Sequence, residues 1–170
     1  MSGNKVLLDA NAVLRYLIED ISEQATVVEQ EVIDNRAEVS IEVLAEVVYV
    51  LEGVYGLTRS RIRESLSCLL EDVSCRDEKV SIEAMSLFTG TRLDFVDCIL
   101  AAEHDVNGRE VLTFDKKLLS LMKKLDMYVS GGGPRPRSPR RRRAVCAGHG
   151  RSGRSRPRCS RARPWGCRAG

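Results

Sequence analysis

Histidine is nearly absent from this chain: two in 170 residues, His104 and His149. With one histidine before residue 131, acid–base chemistry shared between two imidazoles is excluded there. No G-x-S-x-G turn and no G-x-x-x-x-G-K-[ST] loop occurs, which removes serine-elbow hydrolases and P-loop nucleotide hydrolases. Long apolar runs are missing too. The first apolar stretch is cut by Asp9, Asn11 and Arg15, so it is no signal-peptide core. Nothing approaches the ~18 apolar residues of a membrane span. A cytoplasmic protein with no membrane partner is expected. Cys68, Cys75 and Cys98 sit in or beside apolar helical patterns and read as buried free thiols.

A second absence divides the chain. Residues 131–170 hold no Asp or Glu, and their 13 basic residues are all Arg. The 24 acids all fall in residues 1–130 against 14 Lys and Arg, a net charge of −10. The overall +3 is therefore a sum over two unlike segments. Residues 1–130 are long enough to bury one core and read as one domain. Beyond Gly131, Gly132 and Gly133, the low-complexity Arg, Pro, Ser and Ala sequence cannot bury enough apolar surface to offset chain entropy, so it is expected to be disordered. It reads either as a basic arm or as frame-shifted or fused sequence. Cys146, His149, Cys159 and Cys167 match no standard zinc spacing.

Within residues 1–130, the patterns alternate between short apolar runs and helical periodicity. Residues 5–8 predict a strand, and Asn11 is placed to cap a helix through residue 19. Residues 22–35 predict a second helix. Ser40 caps a third over residues 41–55, apolar around most of its circumference except for a stripe of Glu42, Glu46, Tyr49 and Gly53. Thr58 opens a fourth helix, and residues 78–88 and 94–105 predict two more, the latter ended by Gly108. Residues 111–114 read as a strand, 115–125 as a helix and 127–129 as a last edge strand. Strands alternating with helices predict an α/β fold in three layers, with a central parallel sheet flanked by helices.

Four acids stand out against these patterns: Asp9, Glu46, Asp97 and Asp115. Asp9 and Asp115 close apolar runs read as strands, and the carboxyl ends of parallel strands are where α/β sheets form a crevice. Each acid also has an ordinary explanation. Asp94 and Asp97 stand at N-cap and N3 spacing, and Asp9 and Asp115 can cap helices. Capping does not account for Glu46, whose helix is too apolar to face mostly solvent. Carboxylates gathered in one crevice repel one another unless a cation lies between them, and such hard oxygen donors suit Mg²⁺ or Mn²⁺.

The blocks LLDANAVLRYL around Asp9, VSIEVLAEVVYVLE with Ser40 and Glu46, LDFVDCILAAEH around Asp97, and LTFDKKL with Thr113 and Asp115 together resemble a PIN domain. The nearest resemblance is to the VapC-type toxins of bacterial toxin–antitoxin pairs, and it runs from about residue 5 to residue 129. It implies a Mg²⁺- or Mn²⁺-dependent ribonuclease in which Asp9, Glu46, Asp97 and Asp115 bind the metal. Asn11 and Thr113 would be polar support, and Asp94 a neighbour without an assigned role. The implied products carry a 5′-phosphate and a 3′-hydroxyl. The implied partners are an RNA substrate, a cognate antitoxin protein and a second copy in a homodimer. Nothing in residues 131–170 has a counterpart in that pattern.

Two rival readings remain. A haloacid-dehalogenase-type phosphatase would place an Asp after its first strand, but needs a second Asp where Asn11 stands. A catalytically silent PIN-like module would act through protein or RNA contacts alone.

Overall fold

The structure, a computed structural model, describes residues 4–130. The sequence-based expectations for residues 131–170 lie outside the described residues. Three short parallel strands, β1 (Val6–Leu7), β2 (Ala37–Val39) and β3 (Ser74–Cys75), form one sheet in the order β1-β2-β3. Val6 pairs with Ala37 and Leu7 with Glu38; Glu38 then pairs with Ser74 and Val39 with Cys75. Seven helices make up most of the remainder: α1 (Ala10–Ile18), α2 (Ser22–Ile33), α3 (Ile41–Gly53), α4 (Arg59–Asp72), α5 (Glu78–Gly90), α6 (Phe95–Asn107) and α7 (Lys116–Ser130). The expected α/β fold with a central parallel sheet flanked by helices is present, with helix predominating.

Local chemistry starts most of these helices. The Ser40 hydroxyl accepts the Val43 N–H at 3.5 Å and the Thr58 hydroxyl the Arg61 N–H at 3.4 Å. Asp94 does the same for Asp97 at 2.8 Å. Each cap satisfies an N–H that the helix cannot bond internally, which stabilises by about 1 kcal/mol. At the far end of α6, Gly108 adopts φ 66° and donates back to the last turn, the left-handed stop that glycine takes without strain.

Apolar faces at helical spacing then close one core. Val13, Tyr16 and Leu17 of α1 meet Leu44, Val47, Val48 and Leu51 of α3, Ile62, Leu66 and Leu69 of α4, and Phe88 of α5, all fully or nearly fully buried. Removing each large side chain from water contributes roughly 1.5–3 kcal/mol. Tyr16 keeps a polar partner by donating to Asp72 Oδ2 at 3.0 Å. Among the described residues, no helix is long and apolar enough to cross a membrane.

Several expected boundaries change. α1 is capped by Asp9, whose Oδ1 accepts the Ala12 N–H at 2.7 Å; Asn11 lies inside the first turn. α2 stops at Ile33, and Asn35 turns the chain at φ 55° into β2. β2 and β3 were not anticipated, because two or three residues are too few to display a period of two. Residues 111–114, expected as a strand, form no strand: Leu112 is 90% and Phe114 92% exposed, and the short run V-L-T-F meets no neighbouring strand among the described residues. The expected edge strand at residues 127–129 is instead the last turn of α7.

Candidate active site

β1 ends at Leu7 and Asp9 follows after Leu8, so the first acid stands between the sheet and α1. One of its oxygens is held by the Ala12 N–H, and the residue is exposed. Asn11 is exposed beside it. On α3, Leu44, Val47, Val48 and Leu51 are buried while Glu42, Glu46 and Tyr49 are exposed, so the polar stripe is real and faces outward. Glu42 is held below the usual carboxylate range by its hydrogen bond with Ser40.

The N-terminus of α6 carries the most perturbed acid. Phe95 and Cys98 anchor the helix in the core and leave Asp97 half-buried on its first turn. Burial first, then the charges of Asp94 and Asp115, hold the Asp97 carboxyl above its usual range. Loss of water and like charge both penalise the ionised form. Asp115 arrives from the chain before α7. Its Oδ1 accepts from Lys117 N at 2.7 Å and Leu118 N at 2.8 Å, while its own N–H donates to Thr113 Oγ1 at 3.1 Å. Thr113 thus supports Asp115 directly.

The fold therefore brings Asp94 and Asp115 close enough for their charges to act on Asp97. Asp9 and Glu46 are not among the charges that act on Asp97. Among the described residues, no three His, Cys, Asp or Glu side chains converge closely enough to hold a metal ion. The donor set nonetheless fits a hard divalent cation in kind. It is all carboxylate oxygen, and it carries a repulsion that a cation would relieve. In Asp9, Asp94 and Asp115, Oδ1 accepts a helix N–H, a bond that restrains the carboxylate while Oδ2 stays outside it.

Two further residues, Arg59 and His104, make long-range bonds that no local pattern suggested. Arg59 of α4 donates from Nη1 to the carbonyls of Phe88, Thr91 and Leu93, and from Nε to Glu52. His104, in the last turn of α6, bridges the Arg109 carbonyl and Asp126, both at 2.9 Å. These partners lie up to 34 residues away in sequence, beyond any local pattern. The buried Cys98 thiol is pushed up to about 11, chiefly by burial, and is inert at neutral pH.

No curated protein and no solved structure matches the chain. The PIN domain family pattern matches residues 6–124, a span that includes Asp9, Glu46, Asp97 and Asp115. PIN domains are nuclease-type folds that generally use divalent metal ions. On that match, which covers well over half of its length, the chain belongs to the PIN domain family.

Proposed function

We propose that the protein is a metal-dependent endoribonuclease and the toxin of a toxin–antitoxin pair. The observation that supports this best is the crowding of Asp94 and Asp115 around half-buried Asp97. Mg²⁺, or Mn²⁺ in its place, would be held by Asp97 and Asp9 directly. Glu46 and Asp115 would act through water or orient the attacking water. Asn11 and Thr113 provide polar support, and Asp94 holds the first turn of α6 on which Asp97 stands. When bound, the cation lowers the pKa of water and neutralises charge at the leaving 3′-oxygen. It also inverts the local sign of an acidic domain, which otherwise repels phosphate. The partners in this reading are an RNA substrate, a second copy of the chain and a small antitoxin protein.

Mapping cleavage sites on total RNA with Mn²⁺, beside Asp97→Asn and an EDTA control, tests the chemistry. EDTA-sensitive cleavage absent from the mutant is expected. Cleavage that persists in EDTA or in the mutant rejects it. The absence of a converging set of three ligands among the described residues favours one second reading, a silent PIN-like module. That module would show no Mn²⁺-dependent change in Tm and no cleavage. The toxin role predicts slowed growth on expression, relieved by a cognate protein; normal growth with cleavage intact would remove that role alone. Sedimentation checks the dimer.

Residues 131–170 form a separate segment in this reading, adding sequence-independent RNA affinity through counterion release. A chain ending at Ser130 should keep its Tm and cut sites while losing much of its low-salt affinity. Unfolding on truncation would show that the boundary is wrong.

A further inference from the structure

The crossing from α5 to α6 leads into the two acids Asp94 and Asp97, and a residue from neither helix bonds to its backbone. Arg59, the first residue of α4, places its guanidinium at the end of α5. Nη1 shares its hydrogens among the carbonyls of Phe88 at 3.2 Å, Thr91 at 3.1 Å and Leu93 at 2.6 Å. The last carbonyls of a helix lack internal partners and carry partial negative charge, so a cation there is doubly suited. The Arg59 Cζ also lies 4.1 Å from the centre of the Phe88 ring. That ring meets Phe95, the first residue of α6, edge-on at 5.5 Å.

Leu93 immediately precedes Asp94, the residue whose Oδ1 accepts the Asp97 N–H. The shortest Arg59 bond thus ends one peptide away from the acid that orients the α6 first turn. On its other side Arg59 Nε reaches Glu52 Oε1 at 3.3 Å, and Glu52 belongs to α3, the helix of Glu46. One planar group therefore ties the helix bearing Glu46 to the turn that leads into Asp94 and Asp97. Its hydrogen bonds go to Glu52, Phe88, Thr91 and Leu93 and to none of the three acids.

We infer that Arg59 is a positioning residue that sets where Asp94 and Asp97 stand relative to α3. Its importance to metal binding rests on the reading of Asp97 as a ligand; its hold on the turn does not. Lysine keeps the charge but offers one ammonium in place of a planar fork, and so cannot serve three carbonyls, a carboxylate and a ring face together.

Arg59→Lys in the full chain should fold. It should bind Mn²⁺, followed by EPR of the metal alone, at least about tenfold more weakly, the scale seen when groups that orient metal ligands are removed. Amide exchange at Asp97 should speed up in the metal-free protein, and kcat on RNA should fall with KM little changed. Glu52→Gln, which weakens one arm of the clamp, should shift the same readouts in the same direction by less. Arg61→Lys, on an exposed pair with Glu64, should shift none.

If Asp97→Asn abolishes Mn²⁺ binding while Arg59→Lys leaves both affinity and Asp97 exchange unchanged, the inference is overturned. If Asp97→Asn binds Mn²⁺ as the wild type does, the metal-site reading fails, and the exchange data still decide the clamp. Should Arg59→Lys fail to fold, Glu52→Gln decides alone: unchanged exchange at Asp97 overturns the inference.

Discussion

The N-termini of α6 and α7 are both capped by an aspartate, and they are built by the same local chemistry but held very differently. At α6, Asp94 caps the helix, Phe95 and Cys98 are buried, and Arg59 and Thr91 fix the approach. Thr91 accepts from Leu93 N and donates to the Leu87 carbonyl. At α7, Asp115 caps just as well, but the approach is the exposed stretch with Leu112 and Phe114 in solvent. What ties that approach to the fold is the His104 bridge between the Arg109 carbonyl and Asp126, together with Thr113 beneath Asp115. A cap fixes a side chain relative to its own helix. It does not place that helix relative to another acid.

The largest effect expected from this contrast is at Asp97. Asp97→Asn should abolish Mn²⁺-dependent cleavage while raising the Tm of the metal-free protein. The sign follows from the raised carboxyl. The native state holds the Asp97 proton more tightly than the unfolded chain does, so stability falls as pH rises through the native value. A neutral side chain escapes that loss at neutral pH. A lowered Tm would mean that the charge is compensated in the fold.

Next in size is the anchoring of α7. Leu118 is fully buried and Leu112 is 90% exposed, six residues apart in the same block. Leu118→Ala should cost about 2–5 kcal/mol in urea unfolding, against at most about 0.5 kcal/mol for Leu112→Ala. Comparable losses would show that the 111–114 stretch is covered in solution and that the two helix starts are alike after all.

The smallest effect concerns His104. Both of its partners are acceptors, so only the protonated ring donates to both. The hydrogen bond to the Arg109 carbonyl, then Asp126, raises its pKa above the ordinary 6.5. This stabilisation is fully present below the unfolded value and is lost as pH rises through the native value. Tm measured against pH for wild type and His104→Gln should therefore differ at acidic pH and converge at alkaline pH. Parallel curves would show that the bridge does not depend on charge.

The helices were legible because their signals are local. Ser40, Thr58 and Asp94 each bond an N–H three residues ahead, and apolar residues at three- and four-residue spacing mark the buried face. The same locality misled at residues 111–114, where a short apolar run closed by Asp115 implied a strand. A strand exists only when a second segment pairs with it, and none of the described strands does. The −10 charge of residues 1–130 and the choice of Asp9, Glu46, Asp97 and Asp115 as candidates were likewise in the sequence alone. Which of those acids feel one another was decided by tertiary structure. So was the pairing of β2 and β3, too short to announce themselves, and the reach of Arg59 across 29 to 34 residues to three carbonyls. Charge, capping and periodicity act over a few residues and can be read in order along the chain. The meeting of distant groups depends on how whole helices pack, and only the folded core fixes that.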